Sequence, residues 1–240
     1  MTAKRIASNL LFVHGAGGGG WEWGIWQEVF RAAGYRCRSP DLQPAAAGLA
    51  ATSFADYQNQ VQDWIAATPA PQILVGASLG ALLLLKCLEA EKAGAGNRQG
   101  HRLVLLNPHP ARPEAEQMPP FRDHHAGVIA WATDSRLHRT QRSLAQTDAA
   151  SQLVAFRGWR NESSRVLLEA RQQPLSGPIT APCLWLASRD DEDVPAGATE
   201  SMVARLGGEL MLLPGDHLSP MMGRAAAGVA ARVLAWLSST

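Results

Sequence analysis

The sequence predicts an α/β fold built on an open, mostly parallel, doubly wound sheet of about six strands. Three observations carry that reading. Short apolar runs recur along the 240 residues, as in Leu103-Val104-Leu105-Leu106, and a run without alternation suits a strand buried on both faces. A glycine-bearing loop and then a helical stretch follow most of these runs, which is the rhythm of βα units. Finally, Gly76-Ala77-Ser78-Leu79-Gly80 joins one such strand to one such helix. Sheets of this kind gather their ligands beyond the carboxyl ends of the strands.

Taken in order, strands are expected at 9–13, 35–38, 73–75, 102–106, 183–187 and 209–213. Helices are expected over 21–33, 54–67, 79–93, 199–206 and 223–237. Ser53 followed by Asp56 supplies a capping-box start for the second helix. The segment 109–178 breaks the rhythm. It carries Pro110, Pro113, Pro119 and Pro120, then helical stretches at 136–146 and 163–171. A connection of that size is read as a helical cap insertion over the site, within one domain spanning 1–240. The plainer reading is a set of ordinary packing helices.

Composition excludes several function classes. The chain is 46% hydrophobic with a formal net charge of +1, so it lacks the basic footprint of a nucleic-acid binder. Cys37, Cys87 and Cys183 are dispersed and odd in number, which makes neither a disulfide framework nor a zinc site. Free thiols in a reducing compartment fit better. Residues 1–7 hold no apolar stretch of signal-peptide length, and no apolar run reaches a membrane span. A soluble, cytoplasmic protein with no membrane partner is the expectation.

The chemistry is carried by the strand Ile73-Leu74-Val75, then G-x-S-x-G, then the apolar helix beginning Ala81-Leu82-Leu83-Leu84-Leu85. In that context the turn lifts the Ser78 hydroxyl off the end of the sheet. Side chains two residues either side would collide, so Gly76, Gly80 and the small Ala77 fit. The competing reading is a tight turn whose serine only caps the helix. A serine hydroxyl also needs a base to take its proton and a third group to hold that base. Two later loops at strand ends supply candidates. One is Ser188-Arg189-Asp190-Asp191-Glu192-Asp193-Val194-Pro195, and the other is Pro214-Gly215-Asp216-His217-Leu218. Of the seven histidines, only His217 has both a position after the last strand and the place in the chain order Ser, acid, His that nucleophile-elbow hydrolases show; His14, His101, His109, His124, His125 and His138 do not. Asp216 is a poor orienter for its neighbour, because adjacent side chains tend to point apart. A fourth element, His14-Gly15-Ala16-Gly17-Gly18-Gly19-Gly20-Trp21, follows the first strand. As a phosphate cradle it lacks G-K-[ST]. As a dinucleotide loop it has only Asp41 beyond the next strand.

These motifs resemble the α/β-hydrolase-fold serine hydrolases over nearly the whole chain. The resemblance implies an aspartate, two further residues and Val-Pro after the penultimate strand, which selects Asp191 ahead of Asp190 and Asp193. It implies Ala16 and Leu79 as backbone donors to an oxyanion, with His14 bracing their loop. The early His-Gly pair and its spacing to Trp21-x-Trp23 are similar to the small esterase and hydroxynitrile-lyase branch. Ala77 departs from that branch, where a histidine is frequent. Trp21, Trp23 and Trp26 line an acyl pocket or pack the first helix. Trp21 and, from the insertion, Trp159 are taken as substrate-binding.

The resulting expectation is a serine hydrolase that uses neither cofactor nor metal. It would cleave a small or medium apolar carboxylic ester through Ser78, His217 and Asp191. The same triad would serve a thioesterase or a C–C bond hydrolase or lyase. A catalytically silent small-molecule binder is the alternative from another class.

Overall fold

The computed structural model describes residues 8–93, 100–120 and 127–240. In chain order its strands are β1 (Asn9–Val13), β2 (Arg36–Arg38), β3 (Gln72–Ala77), β4 (Arg102–Leu106), β5 (Val128–Ile129), β6 (Glu162–Ser163), β7 (Cys183–Ser188) and β8 (Glu209–Leu213). Its α-helices are α1 (Gly24–Ala32), α2 (Phe54–Ala66), α3 (Leu79–Ala93), α4 (Leu137–Ser143), α5 (Ala149–Gly158), α6 (Ser164–Ala170), α7 (Ala196–Leu206) and α8 (Ala226–Ser239). Six strands form one open sheet in the order β2-β1-β3-β4-β7-β8, and every pairing in it is parallel. The short β5–β6 pair is antiparallel and separate. His124, His125 and the N-terminal residues read for a leader lie outside the described residues. Among the described residues no helix is long and apolar enough to cross a membrane.

The strand period of two sorts side chains onto the two faces. Leu11, Val13, Leu74, Leu103 and Leu105 pack with α2, α3 and α7. Their neighbours Leu10, Phe12, Ile73, Val75 and Val104 pack with α1 and α8 on the other face. Both layers are dry: Leu10, Leu11, Phe12 and Val13 are fully buried. Each such side chain contributes roughly 1.5–3 kcal/mol of transfer free energy. The helix α3 is apolar around much of its circumference because it is central, with Leu79, Ala81–Leu84 and Cys87 all inaccessible. The capping box of α2 forms as the sequence predicts, with Ser53 Oγ accepting from Asp56 N–H and Asp56 Oδ2 accepting from Ser53 N–H.

Three local features differ from the sequence expectation. The first helix does not start at Trp21; residues Gly20–Trp23 form a 3₁₀ turn and α1 follows from Gly24. That turn lets Trp23 and Trp26 drop into the core against Phe12 and Phe30. Strand β3 runs on to Ala77, so the sheet delivers its chain right up to Ser78. Between β4 and β7 the chain forms α4, α5, α6 and the β5–β6 ladder. Of these, α5 and the ladder are unforeseen. The helix α5 lacks a clear apolar stripe, and a two-residue ladder has no periodicity to read.

The strand order reverses direction between β1 and β3. The chain leaves β1 toward β2 on one side and returns as β3 on the other, which opens a crevice at their carboxyl ends. His14 follows β1 and Ser78 follows β3, so both flank that crevice.

Candidate active site

Ser78 sits at φ 48°, a left-handed conformation that strains a non-glycine residue by about 1–3 kcal/mol. The surroundings hold it there. Its N–H donates to the Leu106 carbonyl at 2.9 Å, and its own carbonyl accepts from His109 and Ala81 N–H. A Cβ at position 76 would lie 2.7 Å from the Ala81 Cα, and one at position 80 would lie 2.4 Å from the Val13 carbonyl oxygen. Only glycine allows α3 to turn back this tightly over β3 and β1. The loop after β1 comes up beside the serine: a Cβ on Gly15 would be 3.1 Å from that of Ser78.

Of the four consecutive carboxylates after β7, one is hydrogen-bonded to His217. Asp191 Oδ2 is 2.6 Å from His217 Nδ1, and the Asp191 side chain is fully buried. Its other oxygen accepts from the backbone N–H groups of Asp193 and Val194 at 2.9 and 2.8 Å. Those bonds explain the spacing to Val194-Pro195, since the turn folds its own N–H groups back onto the carboxylate. Asp190 instead bonds Gln146 and the Gly215 N–H. Asp216 caps its own turn through Ser219 and Leu218. The carboxylates of Asp191 and Asp193 and the ring of His217 place ligand-type atoms within 4.8 Å of one another. Both Asp191 oxygens are already engaged, one by the His217 ring and the other by two backbone N–H groups.

The electrostatics around His217 is strong. Burial pulls the imidazole of His217 down, but the charge and hydrogen bond of Asp191, with Asp193 and Glu22 behind it, reverse the balance and raise its pKa to about 9. His14 is the opposite case. Burial lowers its pKa to about 4, so the ring is neutral. Its Nδ1–H donates to the Gly15 carbonyl at 2.8 Å and its Nε2 accepts from Leu42 N–H at 2.9 Å. It braces the loop. Among the described residues, neither the Ala16 N–H nor the Leu79 N–H donates to another protein group, which leaves both available to a ligand.

Gly15, Ala16, Ser78 and His217 line one cavity of about 450 Å³. From the segment between β4 and β7, Trp131, Arg139, Thr140, Leu144, Trp159 and Leu167 also line it. Ser78 and His217 share this space, but no hydrogen bond joins Ser78 Oγ to the His217 ring. Among the described residues the ring's hydrogen bond is the one to Asp191. Trp159 lines the cavity, and its indole N–H is fixed to Thr140 Oγ1 at 3.0 Å. Trp21 stands one layer back, edge-on to Trp159 with ring centroids 6.0 Å apart. Trp21, also expected to bind substrate, touches the cavity-lining Trp159 and does not itself line the cavity.

Three contributors escape sequence reasoning. Glu22 lies against the glycine loop and lines the cavity although only 3% of it is exposed. A Cβ on Gly18 would be 2.1 Å from its Oε1, and its Oε2 is buried with no partner. Burial pushes its pKa up to about 8, against the pull of His217 and the Gly15 N–H, so it is a neutral acid at pH 7. His109 also lines the cavity; its Nδ1 bonds the Pro110 carbonyl and burial keeps the ring neutral, with a pKa of about 4. Asn107, at φ 40°, ties three strand ends together. Its Nδ2 donates to Ser188 Oγ and to the His217 carbonyl, while its Oδ1 accepts from Ser188 N–H. A one-residue carbonyl contact leaves no mark in a sequence. Glu22 could have been noticed as a charge placed between two tryptophans, of which Trp23 is in the core and Trp21 half-buried.

Solved structures with the same fold include a methylesterase from Arabidopsis, 16% identical with a TM-score of 0.72, covering 98% of this chain and 100% of that one. Methylketone synthase I from tomato aligns with a TM-score of 0.73 at 15% identity, over 98% and 99% of the two chains. A pyrethroid hydrolase from Sphingobium faniae aligns with a TM-score of 0.71 at 18% identity, over 97% and 98%. Likenesses this remote in sequence establish the fold. No curated protein matches the chain in sequence. The sequence profile of the Alpha/beta hydrolase family, however, matches residues 10–232, and with the parallel sheet and the serine elbow this means that the chain belongs to that family.

Proposed function

We propose that this protein is a carboxylic ester hydrolase acting on a small or medium, largely apolar ester. The observation that carries the reading is the 2.6 Å pairing of buried Asp191 with His217, in the cavity that also holds Ser78 on its strained turn. Ser78 Oγ attacks the ester carbonyl carbon while His217 Nε2 takes its proton. Asp191 keeps the Nδ1–H tautomer and stabilises the imidazolium. The carbonyl oxygen gains negative charge and is met by the N–H groups of Ala16 and Leu79. The tetrahedral intermediate collapses, the alcohol leaves with the proton from His217, and an acyl-serine remains. Water, activated by the same histidine, then releases the acid.

The segment 109–178 acts as a cap in this reading, closing an apolar wall of Trp131, Trp159 and Leu167 over the acyl group. The Arabidopsis methylesterase and polyneuridine aldehyde esterase structures bear the names of esterases, which supports an ester ahead of a thioester or C–C bond. The test is labelling by a fluorophosphonate together with turnover of a p-nitrophenyl ester. Wild-type protein should lose activity as one label per chain attaches, and Ser78→Ala should neither take the label nor turn over while keeping its fold. Hydrolysis at the wild-type rate by folded Ser78→Ala would sink the proposal.

A further inference from the structure

The glycine loop is held by more than His14. The N–H of Gly17 donates to Glu162 Oε2 at 3.0 Å, and the Gly17 carbonyl accepts from Arg160 N–H at 2.8 Å. Gly17 adopts φ 68°, and the ring of Trp131 fills the space that a Cβ would need. Glu162 is itself 3% exposed. Its Oε1 accepts from Tyr57 Oη at 2.9 Å and from Ser163 N–H at 2.8 Å. On the other side, the Arg160 guanidinium donates to the Leu42 carbonyl at 2.7 Å, and Leu42 N–H donates to His14. These bonds close a ring around Ala16.

The geometry of the peptide gives that ring a consequence. Each peptide group is planar, so a carbonyl and the following N–H turn together. His14 grips the Gly15 carbonyl and so fixes the plane that carries the Ala16 N–H. The next plane, carrying the Ala16 carbonyl and the Gly17 N–H, is gripped by Glu162. The Ala16 N–H can swing only by rotation about Gly15 ψ and Ala16 φ, and the peptide planes on both sides of Ala16 are tied. We propose that Glu162 is a positioning residue of the oxyanion hole, locking the Ala16–Gly17 peptide so that the Ala16 N–H points at the reacting carbonyl. This inference rests on the hydrolase reading above. A carboxyl group is the side chain that suits the task. Three donors (Gly17 N–H, Ser163 N–H and Tyr57 O–H) converge on two oxygens, and a glutamine would turn an NH₂ group toward one of those donors. Glu162 belongs to β6, so the segment over the cavity would supply part of the catalytic geometry as well as a wall.

Glu162→Gln keeps the shape and breaks the grip. Its turnover should be measured per serine titrated by the fluorophosphonate, which cancels any loss of folded protein. We expect kcat per titrated site to fall about 10-fold or more, without exceeding the roughly 10²–10³ seen when a whole oxyanion donor is lost. KM should change less than about threefold, since ground-state binding is spared. Hydrogen exchange at the Gly17 amide should accelerate in the same variant. Should Glu162→Gln fail to fold, Tyr57→Phe removes only one of the converging donors and should lower kcat per site in the same direction, by about twofold or more. An unchanged kcat per titrated site, with a lowered melting temperature alone, would make Glu162 purely structural and overturn the inference. Wild-type protein that takes no label and cleaves no ester would overturn both readings, whereas labelled, active wild type with an indifferent variant overturns only this one.

Discussion

Replacing Glu22 by glutamine should make this protein more stable at neutral pH and shift the pH at which its histidine works. The carboxyl is buried against the glycine loop, and one oxygen has no partner. Its pKa stands at about 8 in the folded protein against a reference of 4.5. A raised acid destabilises the fold as pH rises, because the unfolded chain releases the proton freely and the folded chain retains it. The loss begins near the reference value and is complete above the folded pKa. At pH 7 it amounts to about 3 kcal/mol, and above pH 8 it approaches about 5 kcal/mol, at 1.36 kcal/mol per unit. Glutamine has no proton to release, so the stability difference between Glu22→Gln and wild type should be small at pH 4.5 and widen steadily to pH 8. Urea unfolding at half-unit pH steps would measure it. Glu22 also raises the pKa of His217, so the rate profile of the variant should move toward lower pH. A stability difference that stays flat from pH 5 to 8 would show that Glu22 is not held neutral, and the electrostatic argument would fail.

Three further outcomes follow from the site. Asp191→Asn should lower turnover by about 10⁴, because the amide favours the wrong histidine tautomer; Asp193→Asn should keep most turnover and shift the pH profile toward acid, and a larger loss in Asp193→Asn would assign the orienting role to the wrong carboxylate. In wild-type protein, kcat/KM should climb tenfold per pH unit at neutral pH and bend near 9, since only the neutral imidazole accepts the serine proton and its pKa is raised to that value; a flat profile from pH 5 to 8 would identify another base or a slow physical step. Trp159→Ala should change the ratio of kcat/KM between long-chain and acetyl esters more than it changes acetyl ester turnover, and an unaltered ratio would make the segment over the cavity simple packing.

Much of this architecture is local in origin, and that part was legible in the sequence. The four inner strands β1, β3, β4 and β7 announce themselves as apolar runs because both of their faces are buried, whereas the edge strands β2 and β8 keep exposed positions; the glycines at 76 and 80 mark a turn that no larger residue could make. Strand ends together with the chain order of the α/β-hydrolases singled out His217, and the choice of Asp191 likewise needed the family resemblance. Its physical reason is the pair of N–H groups from Asp193 and Val194 that fold back onto one carboxylate oxygen. What the sequence could not carry are the contacts between residues far apart in it. Glu162 reaches Gly17 across 145 positions and Asn107 reaches the His217 carbonyl across 110, and a bond to a backbone group requires no particular residue type at its far end. The contact of Trp21 with Trp159 joins residues 138 positions apart and is equally invisible in the sequence. The charge states of Glu22 and His217 were beyond the sequence for the same reason: a pKa is set by the water excluded and the charges nearby, and only the packed tertiary structure decides both.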